Sequence, residues 1–330
     1  MANLRAGLVG LGAMGRNHAR ILGELEGVTL IGVADPVVAA SGTRSDVVAT
    51  VEELIARGMD YCVVSAPTAH HEDIGLMLAE AGVPALIEKP LAATPESAER
   101  LVAAFDSRGL VGAVGHIERH NPAVRQARLR IADGLIGEVL QVATRRQGPF
   151  PARIADVGVV KDLATHDIDM TAWIAGSAYD TVMAQTAHRA GRAHEDMVSV
   201  AGTLVDGTVV SHLVNWLSPF KERVAVVTGE RGALIVNTLT SDLTFHANGV
   251  VATEWDSIAQ FRGVSEGDVI RYAFARPEPL RVEHEQFRNA VLGLENTSVT
   301  LREGLRTVAV ATAILDSAAA SAAVRISPAG

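Results

Sequence analysis

The chain has 330 residues, of which 48% are hydrophobic and 20% are charged, and its formal charge is −9 at pH 7. This length predicts about two domains. The acidic balance argues against a protein that neutralises nucleic-acid phosphates, because that task needs a basic face. The single cysteine, Cys62, excludes an intrachain disulfide and a cysteine-built zinc site.

Short apolar runs alternate with helical patterns over the N-terminal third of the chain. The apolar runs are Arg5–Gly10, Val28–Ala34, Tyr61–Ser65 and Val83–Ile87, and helices are expected over Asn17–Leu25, over Glu72–Ala81 and from Thr94 onward. Continuous apolar strands separated by helices predict a parallel sheet that is covered on both faces. Residues 1–118 are therefore predicted to form an α/β domain, a doubly wound sheet of the Rossmann type.

The pattern changes after His120, where strands follow one another with turns between them. Strands are expected over Gly137–Arg145 and within Tyr179–Phe245, with an Asp206–Gly207 turn of type I′ and a second hairpin at Gly229–Gly232. Helices close the chain, the last of them opened by a capping box from Thr300 to Glu303. Residues 119–330 are predicted to form an α+β domain with a largely antiparallel open sheet, whose C-terminal helix is able to pack back on the first domain.

Neither end of the sequence predicts a membrane segment. The most apolar late stretch, Thr307 to Val324, contains Asp316 and several hydroxyl side chains, and it falls short of the roughly 20 apolar residues of a membrane span. The first residues lead into a glycine-rich stretch that is too short and broken for a signal peptide. We therefore expect a cytoplasmic protein.

A glycine motif follows the first predicted strand and opens the first helix. Gly10-Leu11-Gly12-Ala13-Met14-Gly15 has the spacing G-x-G-x-x-G, and Asp35 ends the second strand 20 residues beyond Gly15. In this setting the motif predicts a dinucleotide site, with the pyrophosphate at the helix N-terminus. Asp35 favours NAD over NADP, because a carboxylate repels a 2′-phosphate. Two alternatives stay open: Asp35 only starts a turn before Pro36, or Arg44 binds a 2′-phosphate.

Two further motifs follow the third and fourth strands, and a third lies beyond residue 160. They are Ala66-Pro67-Thr68-Ala69-His70-His71, Glu88-Lys89-Pro90-Leu91 and Asp162-Leu163-Ala164-Thr165-His166. With these motifs in this order, the sequence resembles the Gfo/Idh/MocA family of NAD(P)-dependent oxidoreductases over essentially its whole length. The resemblance implies that Lys89 reaches both nicotinamide and substrate, and that His166 is the catalytic histidine. Further cofactor contacts are expected at Pro67, Thr68, His71 and Glu88.

A closer resemblance is visible around the predicted domain junction. Gly115–Val124, Gly148–Pro151, Arg153 and Asp156–Val160 are similar to the branch of the family that contains UDP-N-acetylglucosamine 3-dehydrogenases. That branch implies oxidation of a ring 3-hydroxyl on a nucleotide-linked sugar, whereas neighbouring branches act on inositol, free sugars and other nucleotide sugars. The sequence departs from the pattern at His120 and Lys161 and in the short segment from Pro36 to Asp60.

Three residues carry the chemistry that oxidation of a secondary alcohol needs. His166 suits proton transfer at neutral pH, since the unperturbed pKa of histidine is about 6.5. Asp162 lies four residues earlier, so on a helix the two share a face and the carboxylate orients the imidazole. Lys89 can hydrogen-bond the reacting oxygen. Whether Lys89 or His166 accepts the proton stays open, and so does the alternative that Asp162 and His166 are only a surface pair.

Substrate contacts are expected from two groups of side chains. His116, Arg119 and Asn121 fall at the junction, where contact with substrate or nicotinamide and packing in a hinge are equally reasonable. Arg146 and Arg153, with Arg145, flank the Gly148–Pro151 loop and could clamp a diphosphate, the alternative being a solvated basic loop. No second His/Asp cluster at ligand spacing accompanies His166, so no metal site is predicted.

The leading hypothesis is an NAD-dependent dehydrogenase of a sugar hydroxyl, and the closer resemblance implies the 3-hydroxyl of a UDP-N-acetylglucosamine-like substrate. The alternatives are an inositol or free-sugar dehydrogenase, an NAD-dependent glycoside hydrolase, and a non-catalytic NAD-binding sensor. The family resemblance also implies a homodimer or homotetramer that associates through the open face of the second sheet.

Overall fold

The computed structural model describes residues 3–41, 46–151, 157–249 and 265–327. The chain divides into two compact units. The first comprises Met1–His120 and Pro277–Thr312, and the second comprises Asn121–Arg276 and Ala313–Pro328. The division after His120 lies two residues beyond the predicted boundary, and the first unit also takes in residues 277–312.

The first unit is a parallel sheet with helices. Its strands are β1 (Leu4–Val9), β2 (Val28–Ala34), β3 (Val47–Val48), β4 (Tyr61–Val64), β5 (Ala85–Glu88) and β6 (Gly112–Gly115). Its helices are α1 (Ala13–Glu24), α2 (Pro36–Ser41), α3 (Val51–Ala56), α4 (His71–Glu80), α5 (Pro95–Asp106) and α8 (Pro279–Val291). The strands pair in parallel in the order β3-β2-β1-β4-β5-β6. The predicted doubly wound sheet is confirmed, and the strand order reverses beside β1, where such folds bind ligands.

The predicted capping residues act as caps in the structure. The Thr94 hydroxyl accepts a hydrogen bond from the Ser97 backbone N–H, and Pro95 occupies the first turn of α5. The helix α9 (Leu301–Ala320) begins with a reciprocal pair: the Thr300 N–H donates to Glu303 Oε2 at 2.8 Å, and the Glu303 N–H donates to Thr300 Oγ1 at 3.3 Å. Both helix starts could therefore be read from local sequence, because the bonds involved join residues three apart.

The second unit is built on a nine-stranded sheet. Its strands are β7 (Val139–Pro149), β8 (Tyr179–Ala187), β9 (Met197–Leu204), β10 (Val209–Asn215), β11 (Leu217–Gly229), β12 (Gly232–Asn237), β13 (Asp242–Gly249), β14 (Ser265–Arg271) and β15 (Val324–Arg325). Their order is β14-β13-β12-β11-β7-β10-β9-β8-β15, and among the described strands only β7 and β10 pair in parallel. Two helices, α6 (Pro122–Ala132) and α7 (Thr165–Ala175), pack apolar side chains against Val142, Ala225 and Val227 of one sheet face. The predicted largely antiparallel sheet is confirmed.

One predicted turn is wrong in type. A type I′ turn needs a positive φ at both central residues, but in the Asp206–Gly207 pair only Gly207 has one, at +90°. The Gly207 N–H donates to the Leu204 carbonyl, and the Asp206 carboxylate accepts from the Thr208 N–H at 3.0 Å. These bonds place glycine in the left-handed position at the end of a longer loop. The hairpin predicted at Gly229–Gly232, by contrast, is present, and two residues connect the paired Gly229 and Gly232.

No helix within the described ranges combines the length and the apolar character that crossing a bilayer requires.

Candidate functional site

Three positions of the β1–α1 loop are occupied by glycine for different steric reasons. Gly10 has φ of +90°, and a Cβ there would lie 2.8 Å from the Ser65 carbonyl oxygen. A Cβ on Gly15 would lie 2.0 Å from the Gly10 carbonyl oxygen. A Cβ on Gly12 would meet nothing within 4 Å. Gly10 and Gly15 therefore serve the fold, while Gly12 keeps the backbone open beside the start of α1.

The N-terminus of α1 has the features of an anion site. Gly12 occupies the cap position, and no side chain there accepts from the helix amides. The first-turn N–H groups, those of Ala13, Met14 and Gly15, have no acceptor within the helix by α-helical geometry. Together with the partial positive charge of a helix start, these donors and the open surface at Gly12 fit a pyrophosphate. The residues present therefore fit the dinucleotide that the sequence predicts.

The Asp35 carboxylate has two structural roles at the end of β2. Oδ2 accepts from the Leu11 N–H at 2.8 Å and so braces the glycine loop. Oδ1 accepts from the N–H groups of Val37 and Val38 at 3.0 and 2.9 Å and caps α2. The alternative that Asp35 starts a turn is therefore realised, yet Oδ2 keeps a lone pair for a ribose hydroxyl. Arg44, the competing phosphate ligand, lies outside the described residues.

The segment after β4 carries three of the predicted cofactor contacts. Pro67 is exposed, and Thr68 is half-buried at the start of a short 3₁₀ helix. His71 is fully buried, and its two ring nitrogens lie 2.9 Å from the carbonyl oxygens of Ala66 and Pro90. Burial lowers the pKa of His71. The ring links the loops after β4 and β5, so the geometry favours loop support over direct contact with a cofactor.

Lys89 follows β5, and its peptide bond to Pro90 is cis. The Lys89 side chain is half-buried, while its backbone N–H donates to Glu88 Oε2 at 3.0 Å. The other carboxylate oxygen of Glu88 lies 2.9 Å from His18 Nε2. Burial alone would raise the pKa of Glu88, but His18 and Lys89 lower that pKa by more. Glu88 is therefore a buried carboxylate directly behind the proposed reactive lysine.

The three junction residues are all buried, and the contacts of Arg119 and Asn121 are with neighbouring structural elements. Arg119 forms an ion pair with Glu303, the capping residue of α9, at 2.5 Å. Asn121 caps α6 by accepting from the Ala123 N–H, and it donates to the Thr238 carbonyl, both at 3.0 Å. His116 is 1% exposed. For Arg119 and Asn121 these partners support the packing alternative over substrate contact.

Asp162 and His166 lie on a segment that widens before it becomes an α-helix. Val160–Ala164 forms a π-helical turn, in which the Thr165 N–H donates to the Val160 carbonyl. Asp162 is buried in this turn, and half-buried His166 is the second residue of α7. Sequence spacing predicted a regular helix here, so the π turn is a difference. Such turns occur often at functional sites.

A buried carboxylate holds the start of this turn. Glu195 Oε1 accepts from the Val160 N–H at 3.0 Å. A Cβ on Gly158 would lie 1.9 Å from the same carboxylate, so a larger residue there would displace the Glu195 side chain. Glu195 is a functional-site residue that the sequence analysis missed, because it lies 35 residues from its partner with no motif around it.

The predicted arginine clamp is not assembled among the described residues. Arg146 is buried, and its Nε donates to Asp167 Oδ2 at 3.0 Å, which ties β7 to α7. Arg145 is an exposed neighbour on the same strand and pairs with Glu222 of β11 at 2.7 Å. Arg153 lies outside the described residues. Because its guanidinium is committed to Asp167, Arg146 is explained as a support for the helix that carries His166.

A buried polar cluster in the first unit was also missed by the sequence analysis. His18 of α1 lies 2.8 Å through Nδ1 from His284 Nε2 of α8, in addition to its contact with Glu88. Glu283, the neighbour of His284, is 2% exposed, and neither of its carboxyl oxygens has a hydrogen-bond partner among the described residues. Burial raises the pKa of Glu283 well above its ordinary value and lowers that of His284.

No group of three or more histidine, cysteine, aspartate or glutamate side chains in the described parts of the chain is arranged to hold a metal ion.

Two family models match the chain in sequence order. Residues 4–116 match a model described as an oxidoreductase family with an NAD-binding Rossmann fold. Residues 124–235 match the model of the GFO/IDH/MocA C-terminal domain.

Named dehydrogenases are among the relatives. UDP-N-acetylglucosamine 3-dehydrogenase of Acidithiobacillus ferrooxidans is 31% identical over 214 residues, which cover 64% of this chain and 66% of that protein, slightly under two thirds of its length. Its solved structure, GnnA, is 26% identical with a TM-score of 0.82, covering 97% of this chain and 99% of that chain. Myo-inositol dehydrogenase Hyg17 of Streptomyces leeuwenhoekii is 33% identical over 242 residues, covering 69% of this chain and 74% of that protein.

A second solved structure among the relatives carries a cofactor. GenD2 from gentamicin A biosynthesis, solved in complex with NAD, is 25% identical with a TM-score of 0.80, covering 99% of this chain and 97% of that chain.

Proposed function

Because the chain belongs to the Gfo/Idh/MocA family of oxidoreductases, we propose that it is an NAD-dependent dehydrogenase that oxidises a secondary alcohol on the ring of a sugar or cyclitol. The observation that carries the proposal is the ordered match of both family models. It is supported by the placement of Lys89 directly after β5, of His166 at the start of α7 and of Asp162 in the turn before it. The relatives named as dehydrogenases act on alcohols of this class, according to their names.

The cofactor site of this proposal is the β1–α1 loop. The backbone amides of Ala13, Met14 and Gly15 would hold the pyrophosphate, and Asp35 Oδ2 would accept from a ribose hydroxyl. A dinucleotide bound at this loop would supply the acceptor for the hydride that leaves the alcohol carbon. NAD is favoured over NADP because the Asp35 carboxylate would repel a 2′-phosphate. The NAD complex of GenD2 agrees with this preference.

Residues of the protein itself remove the proton of the alcohol. In the proposed mechanism Lys89 hydrogen-bonds the alcohol oxygen and stabilises the alkoxide character that develops there. His166 accepts the hydroxyl proton, or passes it on from Lys89, and Asp162 stabilises the imidazolium that forms. The π turn positions Asp162 ahead of α7, and Glu195 fixes that turn at Val160.

Two substrate classes are candidates, and each has support. Similarity to the 3-dehydrogenase of A. ferrooxidans favours the 3-hydroxyl of a UDP-N-acetylglucosamine-like sugar. A diphosphate substrate needs cationic ligands, however, and Arg146 is committed to Asp167. That observation, with the identity to the inositol dehydrogenase, favours an uncharged cyclitol or sugar as the second candidate.

The proposed assembly is a homodimer or homotetramer through the face of the second unit's sheet that α6 and α7 do not cover. Met183 of β8 is 49% exposed. Half-buried Leu213 of β10 and Val226 of β11 lie two and four strands away from it, on the same face of the sheet. An apolar face of this kind usually marks an interface. A cytoplasmic location remains part of the proposal.

A panel of alcohols tests this function. UDP-sugars, free hexoses and inositols are incubated separately with NAD and with NADP, and the absorbance of reduced nicotinamide is followed. The proposal predicts net reduction of NAD by at least one ring alcohol. Release of sugar without net reduction would instead indicate a glycoside hydrolase, and binding of NAD without turnover of any compound would indicate a sensor.

A further inference from the structure

The first unit contains a buried chain of polar side chains that runs from α8 to Lys89. His284 of α8 contacts His18 of α1, His18 contacts Glu88 of β5, and Glu88 accepts from the backbone N–H of Lys89, at 2.8, 2.9 and 3.0 Å. The His18 and His284 side chains are at most 1% exposed. Burying four polar groups costs folding free energy unless they are well bonded. The proposed reaction gives no role to His284, His18 or Glu88.

We propose that His18 and Glu88 are positioning residues for Lys89, and that α1 thereby links the dinucleotide loop at its N-terminus to the lysine that acts on the substrate. The inference rests on the proposed function for the role of Lys89, but the contacts on which it depends lie wholly within the first unit. Neither residue is proposed to touch substrate or nicotinamide.

The backbone around Lys89 is held from both sides. On one side the Glu88 carboxylate accepts from the Lys89 N–H, and on the other the His71 ring lies 2.9 Å from the Pro90 carbonyl. The Glu88 side chain packs against Gly115, where a Cβ would lie 3.2 Å from the Glu88 carboxyl carbon. His18 connects Glu88 to α1, and α1 begins at the glycine loop.

Of the two buried carboxyl groups Glu88 and Glu283, Glu88 is the one that stays ionised beside Lys89. Burial favours a neutral Glu283 and a neutral His284 on α8, and the nearby charge of Glu88 adds to the effect on Glu283. The turn Ile117–His120 also packs against α8 and contains Glu118 and Arg119, of which Arg119 pairs with Glu303. Glu88 is therefore the carboxylate of the His18–His284 cluster that can act on the Lys89 ammonium.

The first test measures Lys89 without turnover. The chain has three lysines, Lys89, Lys161 and Lys221, so acylation of each by an amine reagent can be followed by peptide mass spectrometry, with Lys161 and Lys221 as internal references. Glu88→Gln removes the charge and His18→Leu removes the donor to Glu88. We expect both to raise the acylation rate of Lys89 several-fold relative to the references. His18→Gln, whose amide can replace the Nε2 donor, should restore the wild-type ratio.

A matched control comes from the second unit. His212 is also fully buried, with Thr144 Oγ1 and the Tyr179 hydroxyl each 2.8 Å from its ring nitrogens. His212→Leu should reduce the melting temperature, because it too removes a buried, hydrogen-bonded histidine. It should leave the acylation rate of Lys89 relative to Lys161 and Lys221 unchanged. Equal ratios in wild type, Glu88→Gln and His18→Leu, all folded by circular dichroism, would overturn the proposal.

The second test uses whichever alcohol the substrate panel identifies. Displacement of a reacting group by about 1 Å can cost about 100-fold in rate, so His18→Leu is expected to lower kcat by about this factor with little change in KM, and His18→Gln to recover it. A loss of melting temperature with kcat unchanged would show a purely structural role. If wild type oxidises no alcohol, the proposed function fails while the acylation ratios still decide the positioning of Lys89.

Discussion

Asp35 shows how one carboxylate combines a structural and a proposed cofactor role. Its two oxygens accept three backbone hydrogen bonds, from Leu11, Val37 and Val38. The sequence could predict the residue from its distance to Gly15, since that spacing belongs to a single βαβ unit. The bond to Leu11 was not predictable, because it depends on the path of the glycine loop.

At the residue scale, Asp35→Ala is expected to weaken NAD binding more than NADP binding, reducing the preference at least about 10-fold, since the repulsion of a 2′-phosphate disappears with the charge. Titration of protein fluorescence with each cofactor measures the ratio. Asp35→Asn is the control, because an amide oxygen can keep some of the backbone bonds without the charge. An unchanged NAD to NADP ratio in both variants would show that Asp35 does not select the cofactor.

At the scale of the element, the glycines of α1 and its loop give a prediction with an internal control. Gly12→Ala should weaken dinucleotide binding at least about 10-fold while costing less than about 1 kcal/mol of stability, because its Cβ meets open space. Gly15→Ala should destabilise by about 1–3 kcal/mol, because its Cβ would meet the Gly10 carbonyl oxygen.

Gly23 is the matched control for both, since it lies in α1 with nothing within 4 Å of its Cβ position. Gly23→Ala should stabilise by roughly 0.5–1 kcal/mol and leave binding unchanged. Urea unfolding and cofactor titration separate the three variants. Full cofactor affinity in a folded Gly12→Ala protein would place the pyrophosphate elsewhere.

The Arg146–Asp167 pair gives the second prediction for an element. Removing one member of a buried ion pair leaves the other charge unpaired and costs about 3–5 kcal/mol. Arg146→Met is therefore expected to lower the free energy of unfolding by about that amount, and Arg146→Met combined with Asp167→Leu by clearly less. Were Arg146 a substrate ligand, Arg146→Met would raise KM and leave stability nearly unchanged.

Local elements were predictable where their stabilising bonds join near neighbours. The caps at Thr94 and Thr300 use residues three apart, and both helix starts agree with the structure. The π turn at Val160–Ala164 was not predictable, because the carboxylate that holds it, Glu195, lies 35 residues further along. The contact between Arg146 and Asp167 was not predictable for the same reason, since the two residues are 21 positions apart and an arginine beside a loop is usually solvated.

For the whole molecule, Glu283 predicts a pH dependence of stability. Its pKa is raised in the folded chain above the unfolded value of about 4.3. The contribution of Glu283 to the free energy of unfolding is therefore complete below about pH 4.3, and it is lost as the pH rises through the pKa of the folded state. Glu283→Gln cannot ionise, so its melting temperature relative to wild type should increase between about pH 5 and about pH 8. Differential scanning fluorimetry measures the difference.

Glu285→Gln, half-buried on the same helix, serves as the control for Glu283. A melting-temperature difference for Glu283→Gln that stays constant over this range would mean that the carboxyl does not change its ionisation. The stability argument would then lose its basis, although the bonds among His18, Glu88 and Lys89 would be unaffected.

The architecture of both units followed from the order of strands and helices, because hydrophobic periodicity is a local property that survives folding. The His18–His284 contact could not be predicted, since it joins residues 266 positions apart that carry no shared motif. The same limit applies to the division of the chain. The first unit includes residues 277–312, and for that stretch the sequence predicted only that the C-terminal helix is able to pack on the first domain.

The central claim is that Lys89 and His166 act on one alcohol, and a double-variant cycle tests it most directly. The kcat/KM for the best alcohol of the panel is measured for wild type, Lys89→Met, His166→Ala and the combination, with NAD binding as the control for folding. Residues that act as a unit are not additive. We predict that each single variant loses at least about 100-fold, that NAD affinity is retained, and that the combination is no slower than the slower single variant. Losses that multiply in the combination, or an unchanged rate in either single variant, would contradict the account.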